Sequence, residues 1–98
     1  MTEKKKLIPK YAIHAGDILL DELRARNIKQ SVFCRKHGFH TVELNGIIKH
    51  KRSITAKTAL KLESALGINA EFWMRLQIMY ELDQKRIKQK KHHYFKKK

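Results

Sequence analysis

The stretch IKQSVFCRKHGFHTVELNGII, residues 28–48, limits what this chain can fold into more than any other part of it. Apolar residues recur at helical spacing on both sides of Gly38, which can take the left-handed backbone that ends a helix without steric cost. Cys34 is small enough to lie where two helices cross, and Leu44 and Ile47 can bury against the first helix. The pattern predicts two short helices joined by a tight turn, over residues 30–37 and 41–48.

Capping residues and apolar spacing predict three further helices around this hairpin, one before it and two after it. The predicted N-caps of the last three helices are Thr41, Thr55 and Asn69, and the first, second and fourth helices are expected to end near Asn27, Gly38 and Gly67. No stretch alternates apolar and polar residues in the manner of a strand. The expected fold is therefore all-α, with five helices.

The chain divides into a helical domain and two basic ends. The domain spans residues 12–84, after an N-terminal basic arm over residues 1–11 in which Pro9 disfavours helix just before it. Residues 85–98 form a basic C-terminal tail, which is expected to fray and be partly disordered because repulsion among its lysines meets no core.

The last helix carries a broad apolar face. Its members are Phe72, Trp73, Leu76, Met79, Tyr80 and Leu82. We expect this face to be core, and part of it to be shared with a second subunit, because it is wide for so small a domain.

The positive charge is unevenly spread. The formal net charge is +14, and residues 85–98 alone carry eight Lys or Arg and no acid. Within the helical domain, residues 35–57 carry six Lys or Arg against Glu43 alone. Such an excess attracts polyanions, either nucleic acid or an anionic membrane surface. The alternative is a solvated face with solubilising ends.

Several classes of function find no support in the residues. A single cysteine, Cys34, excludes an internal disulfide and a cysteine-rich zinc framework, and we expect it to be a small buried hydrophobe. The histidines lack metal-ligand spacing, and no catalytic motif is present, so no metal, no cofactor and no enzyme activity are expected. Without a recognisable leader or membrane-spanning run, we expect a cytoplasmic protein that does not enter a membrane.

The hairpin matches a known spacing. Counted from Gln30, Cys34 lies four residues on, Gly38 eight, Leu44 fourteen and Ile47 seventeen. This arrangement resembles the helix-turn-helix of phage-repressor and Cro-like regulators, in which the second helix is the recognition helix that enters the major groove of DNA. On these five positions alone, a helical hairpin that only packs stays an alternative.

Further motifs resemble one family within that class. HAGDIL at residues 14–19 is similar to the HPGEIL of HigA-type antitoxins, also known as virulence-associated protein I. KRSITA at residues 51–56 is similar to the KRGITA of that family, TALKL at 58–62 to its TALRL, and EFWMRLQ at 71–77 with YEL at 80–82 to its EFWLNLQ and YDL. The resemblance covers roughly residues 12–84.

The resemblance implies a lambda-repressor-like domain that is the antitoxin of a type II toxin–antitoxin module. A homodimer would repress its own operon by binding palindromic operator DNA and would neutralise a cognate HigB-like ribonuclease toxin. The NGKR of the family reads KHKR here, so His50 stands in place of a glycine and is expected to end the recognition helix in a left-handed conformation. Lys29 stands where a capping Ser is common, so the second helix should start with less side-chain support.

Position in the recognition helix selects the candidate base readers. They are His40, Thr41, Val42, Glu43 and Asn45. Asn45 can pair bidentately with adenine, Val42 can contact a thymine methyl group, and Glu43 can accept from cytosine N4. For Glu43, a solvent-facing carboxylate is an equal alternative, because phosphates repel it.

The candidate phosphate contacts flank the recognition helix. They are Gln30, Lys49, Lys51 and Arg52. Gln30 opens the preceding helix, where backbone N–H groups favour an anion. The three cations lie in and beside the loop KHKRSI, for which a merely solvated loop is the alternative. His14 is expected to cap the first helix.

Two other functions stay open at this point. One is a solitary phage-type or chromosomal regulator without a toxin partner, and the other is a protein-binding helical module that does not contact DNA. Binding to the DNA upstream of its own gene separates the last from the other two, and the product of the adjacent gene separates an antitoxin from a solitary regulator.

Overall fold

The computed structural model describes the backbone of residues 8–96 and the side chains as far as residue 90, and the regular structure in that range is entirely helical. The helices are α1 (Ala15–Ala25), α2 (Gln30–His37), α3 (Thr41–Ile48), α4 (Ala56–Leu66) and α5 (Ala70–Lys96). The predicted all-α fold with five helices is confirmed. The recognition helix of the predicted helix-turn-helix is α3.

Most of the predicted helix ends are found. Gly38 and Gly67 close α2 and α4 with φ angles of 71° and 74°. Thr55 caps α4 by accepting a hydrogen bond from the Thr58 amide through Oγ1 at 3.3 Å. His14 caps α1, since its Nδ1 accepts from the Gly16 amide at 2.8 Å.

Among residues 8–96, two residues other than glycine adopt the left-handed backbone. Asn27, with φ of 57°, follows α1, and His50, with φ of 65°, follows the C-cap of α3. The left-handed His50 expected from the missing glycine is thereby confirmed. Asparagine tolerates this conformation better than most residues, whereas histidine must be held there by its surroundings.

The start of α3 differs from the prediction, whereas the start of α2 has the weak side-chain support expected from Lys29. The N-cap of α3 is His40 rather than Thr41, and neither it nor Lys29, the N-cap of α2, makes a side-chain capping hydrogen bond. The buried Phe39 fixes the turn one residue earlier, so His40 takes the extended backbone. Helix α5 begins at Ala70, directly after the predicted Asn69, and its first amide donates to Oε2 of Glu63 on α4 at 3.0 Å.

The core lies where the five helices meet. Its largest fully buried side chains are Trp73, Phe33, Leu19, Leu23, Leu44, Ile47 and Leu62. The broad apolar face expected to be core on α5 is only partly so, because Phe72, Met79 and Leu82 are 38%, 42% and 42% exposed. Helix α5 packs mainly on α4 and α1.

Helix α5 continues past the predicted domain boundary. Residues 85–96, expected to fray, extend the helix to Lys96, so the boundary at residue 84 falls inside it. Nothing after Gly67 breaks a helix, and Lys, Arg and Gln are good helix formers. Residues 1–7 of the arm and 97–98 of the tail lie outside the described residues. Between residues 8 and 96, no helix is both long and apolar enough to cross a membrane.

Candidate nucleic-acid interface

Helix α3 has a buried and an exposed face. Leu44 and Ile47 are fully buried, as the hairpin pattern predicted. Four of the five predicted base readers are exposed, namely His40, Thr41, Val42 and Asn45. Val42 is an apolar side chain that is 68% exposed, which is the placement a contact to a thymine methyl group requires.

An open groove of about 580 Å³, here called the α3 groove, runs along this exposed face. It is lined by Gln30, Thr41, Val42, Asn45, Gly46, Lys51 and Arg52. The start of α2, the exposed side of α3 and the following loop therefore converge on one surface. His40 and Glu43 line a neighbouring cavity together with Lys57 and Lys61, and Lys49 is the exposed C-cap of α3.

Glu43, predicted to be either a base reader or a solvent-facing carboxylate, contacts α4 through its side chain. Its Oε2 accepts from the Thr58 hydroxyl at 3.4 Å, and its Oε1 lies 3.6 Å from Nζ of Lys61. Lys61 in turn donates to the Gly38 carbonyl at 3.0 Å and lies over the Phe39 ring. The carboxylate therefore braces the turn between α2 and α3, and its charge is offset there.

Gly46 makes room for Arg52. A methyl group built on Gly46 would lie 2.9 Å from Cγ and Cδ of Arg52, so the arginine side chain crosses α3 where a larger residue would block it. The Gly46 carbonyl also accepts from the amides of Lys51 and Arg52 at 2.7 and 3.1 Å. These contacts bring both cations to the edge of the α3 groove.

A histidine pair holds the end of α3. His50 donates through Nε2 to Oδ1 of Asp17 at 2.7 Å, and its ring stacks on His14 with a centroid distance of 4.5 Å. Tyr80 of α5 meets the other side of His14 edge-on. This cluster stabilises the left-handed backbone of His50, which α1 and α5 hold in place.

Burial lowers the pKa of His14, and the neighbouring His50 lowers it further, while Asp17 and the Arg52 backbone oppose the shift. The neutral ring fits its capping role, because Nδ1 must keep a free lone pair to accept from Gly16. Burial also raises the pKa of the Cys34 thiol, with Glu43 adding to the effect, which agrees with a small buried hydrophobe. In the described range, no three His, Cys, Asp or Glu side chains form a group that could hold a metal ion.

Comparison with known proteins identifies the family. No protein-family model matches the chain. Virulence-associated protein I of Dichelobacter nodosus is 33% identical over 72 residues, which are 72% of this chain and 67% of that protein. The structure of an addiction module antidote protein of a HigA family from Coxiella burnetii is 32% identical, with a TM-score of 0.76 over 84% of this chain and 90% of that one. The chain belongs to the HigA family of antitoxins.

Another HigA structure includes DNA. Pseudomonas aeruginosa antitoxin HigA, solved with the higBA promoter, is 32% identical, with a TM-score of 0.75 over 83% of this chain and 89% of that one. The family resemblance inferred from the motifs is thereby confirmed. The similar proteins named here are described as antitoxin, antidote or virulence-associated proteins, not as enzymes.

Two residues of this HigA-family chain shape the site without having been predicted to. Gly16 lies in the HAGDIL motif, and a methyl group built on it would overlap the carbonyl oxygen of Ile47, so α1 and α3 touch through their backbones. Gln77 lies in the EFWMRLQ motif, is buried, and binds the loop that carries Lys51 and Arg52. Both motifs can be recognised in the sequence, but a motif does not reveal which of its residues make long-range contacts.

Proposed function

We propose that this HigA-family antitoxin binds, as a homodimer, a palindromic operator in the promoter that it shares with a cognate toxin, and so represses that operon. The observation that carries the proposal is the α3 groove, where exposed polar side chains of α3 lie between Gln30 on one side and Lys51 and Arg52 on the other. A recognition helix flanked by phosphate-binding groups is the arrangement that places side chains against base edges in the major groove.

The exposed side chains divide into two roles. We assign base contacts to His40, Thr41, Val42 and Asn45, with Asn45 pairing with adenine and Val42 contacting a thymine methyl group. We assign phosphate contacts to Gln30, Lys49, Lys51 and Arg52, because cations and helix N-termini bind phosphate without reading sequence. Glu43 is left out of the base contacts, since Thr58 and Lys61 engage its carboxylate.

Similar structures support DNA as the partner. Pseudomonas aeruginosa antitoxin HigA was solved with the higBA promoter. A structure of PA4674 from Pseudomonas aeruginosa, solved in complex with its 18-bp operator DNA, is 31% identical, with a TM-score of 0.75 over 87% of this chain and 96% of that one. Identity at this level predicts the same mode of binding but not the same operator, because few side chains read the bases.

The toxin, the dimer and the location belong to the same proposal. The family implies a HigB-like ribonuclease toxin as the protein partner. The antitoxin itself is proposed to be cytoplasmic, with no enzyme activity, no cofactor and no contact with a membrane. A second subunit is supported by the exposed apolar residues of α5, which are Phe72, Ile78, Met79 and Leu82. Burying apolar surface of this kind against a symmetric copy stabilises a dimer.

A gel-shift assay with the DNA upstream of the gene tests the DNA proposal. The chain should bind that fragment and leave a fragment of equal length and scrambled sequence unbound in the presence of competitor DNA. Equal affinity for both fragments would contradict sequence-specific binding. Co-purification of the product of the adjacent gene would support the antitoxin pairing, and its absence would favour a solitary regulator.

A further inference from the structure

The loop between α3 and α4 is fixed at both ends by side chains from other elements. At its start, His50 lies 2.7 Å from the Asp17 carboxylate of α1. At its end, the Ile54 amide donates to Oε1 of Gln77 on α5 at 2.7 Å. Lys51 and Arg52 lie between these anchors and are exposed. The position of both cations therefore depends on these two anchors as well as on the bonds of their own amides to the Gly46 carbonyl.

Gln77 is built into the interior rather than placed on the surface. It is 5% exposed, and its Nε2 donates to Oε2 of Glu81 one turn further along α5 at 2.9 Å. The bond to the carboxylate fixes which end of the amide faces Ile54, so the oxygen is presented to the loop. The bond to the Ile54 amide is buried, and the bond to Glu81 is partly buried and charge-assisted, so the pair holds its geometry more tightly than an exposed hydrogen bond.

We propose that Gln77 is a positioning residue for DNA binding, which fixes the loop so that Lys51 and Arg52 meet the phosphate backbone at the edge of the α3 groove. This inference rests on the proposed function, since it assigns Gln77 a part in operator binding. Without the Gln77 bond, only the Gly46 and His50 contacts would hold the loop, and the end near Ile54 would be freer. Ordering that end on binding would cost conformational entropy and so lower the affinity for DNA. Helix α5 lies outside the helix-turn-helix, yet through Gln77 it would position the loop whose cations contact phosphate.

The test compares Gln77→Met with Gln84→Met in the full chain. Both substitutions leave the net charge unchanged, and Gln84 is an exposed residue two turns along the same helix. Operator affinity is measured by fluorescence anisotropy over a range of salt concentrations. For Gln77→Met, we expect the slope of log K against the logarithm of the salt concentration to become shallower by about 0.9 to 1.8. This change corresponds to one or two fewer neutralised phosphates. Its preference for the operator over a duplex with altered bases should not change, and Gln84→Met should match the wild type.

A charge-conserving exchange provides the rescue. The double substitution Gln77→Glu with Glu81→Gln keeps an oxygen that can accept from Ile54 and restores the bond between positions 77 and 81, so the wild-type salt slope should return. If Gln77→Met does not fold, Gln77→Asn carries the same test, because its amide is one methylene too short to reach Ile54.

Each outcome decides a separate point. A wild-type salt slope in the folded Gln77→Met or Gln77→Asn chain would overturn the positioning role and leave Gln77 with a part in stability only. A failure of the exchange variant to restore the slope would also count against it. A wild-type chain that binds no operator would overturn the proposed function, and the positioning role with it.

Discussion

Gly16 of α1 and Ile47 of α3 touch backbone to backbone. A methyl group built on Gly16 would overlap the Ile47 carbonyl oxygen and lie 2.9 Å from the carbonyl carbon. Both atoms belong to the backbone of the recognition helix, so the clash cannot be relieved by turning a side chain. Glycine at this position sets how closely α3 lies against the domain.

The substitution Gly16→Ala should destabilise the domain by about 1–3 kcal/mol, the range for overpacking a well-filled core. Urea unfolding followed by circular dichroism measures the change. Gly46→Ala is the matched control, since its methyl group would meet only the flexible Arg52 side chain. We expect that control to keep or slightly increase stability, by up to about 1 kcal/mol from helix propensity, while weakening operator binding. Equal stability of the two variants would show that the backbone contact does not matter.

Asn45→Ala should reduce base discrimination. If Asn45 pairs with adenine, its removal should cost about 1–3 kcal/mol at one base-pair position and make the protein tolerate substitution there. Affinities for a set of singly substituted operators measure this effect. Glu43→Gln is the control, because the Glu43 carboxylate contacts Thr58 and Lys61 rather than the groove. A changed base preference in Glu43→Gln would contradict the exclusion of Glu43 from the base contacts. An unchanged base preference in Asn45→Ala would contradict the assignment of a base contact to Asn45.

His14 makes stability depend on pH. Its pKa is lowered by burial and then by His50, below the ordinary value of 6.5. The unfolded chain therefore binds a proton at His14 more readily than the folded one, so the stability that neutral His14 contributes is present above pH 6.5 and is lost as pH falls toward its folded pKa. Urea unfolding between pH 5 and 8 measures this effect. As the pH falls, the free energy of unfolding should decrease more steeply for the wild type than for His14→Asn, which can still cap α1. The same pH dependence in both chains would show that other groups carry it.

The cations at the end of α5 should add to the salt dependence of DNA binding. Because the helix continues to Lys96, substitution tests this more cleanly than truncation. Replacing Lys85, Lys88 and Lys90 with Gln should make log K against log salt shallower by about 0.9 for each phosphate that these lysines neutralise in the wild type. An unchanged slope would show that this part of the chain does not touch DNA.

The fold was largely predictable because its signals are local. Gly38 and Gly67 end helices by their own backbone freedom, and the missing glycine at His50 predicted a strained residue there. The exposed edge of α3 followed from the spacing of Leu44 and Ile47, which had to face inward.

The remaining features depend on contacts distant in sequence. Neither the tie between Glu43 and Lys61 nor the hydrogen bond of Gln77 to the Ile54 amide can be read from periodicity, since each joins elements whose relative placement the sequence does not give. The extent of α5 was misjudged for a different reason. Lysine repulsion was expected to fray residues 85–96, but the same residues have high helix propensity and nothing interrupts them.

Chemical footprinting of the operator shows whether α3 enters the major groove. Dimethyl sulfate methylates guanine N7 in the major groove and adenine N3 in the minor groove, so the pattern of protection reports which groove α3 occupies. With α3 in the major groove, we expect protection of guanine N7 in two patches about one helical turn apart, with adenine N3 between them still reactive. A complex that leaves every guanine N7 reactive, or that protects adenine N3 alone, would contradict this placement of α3.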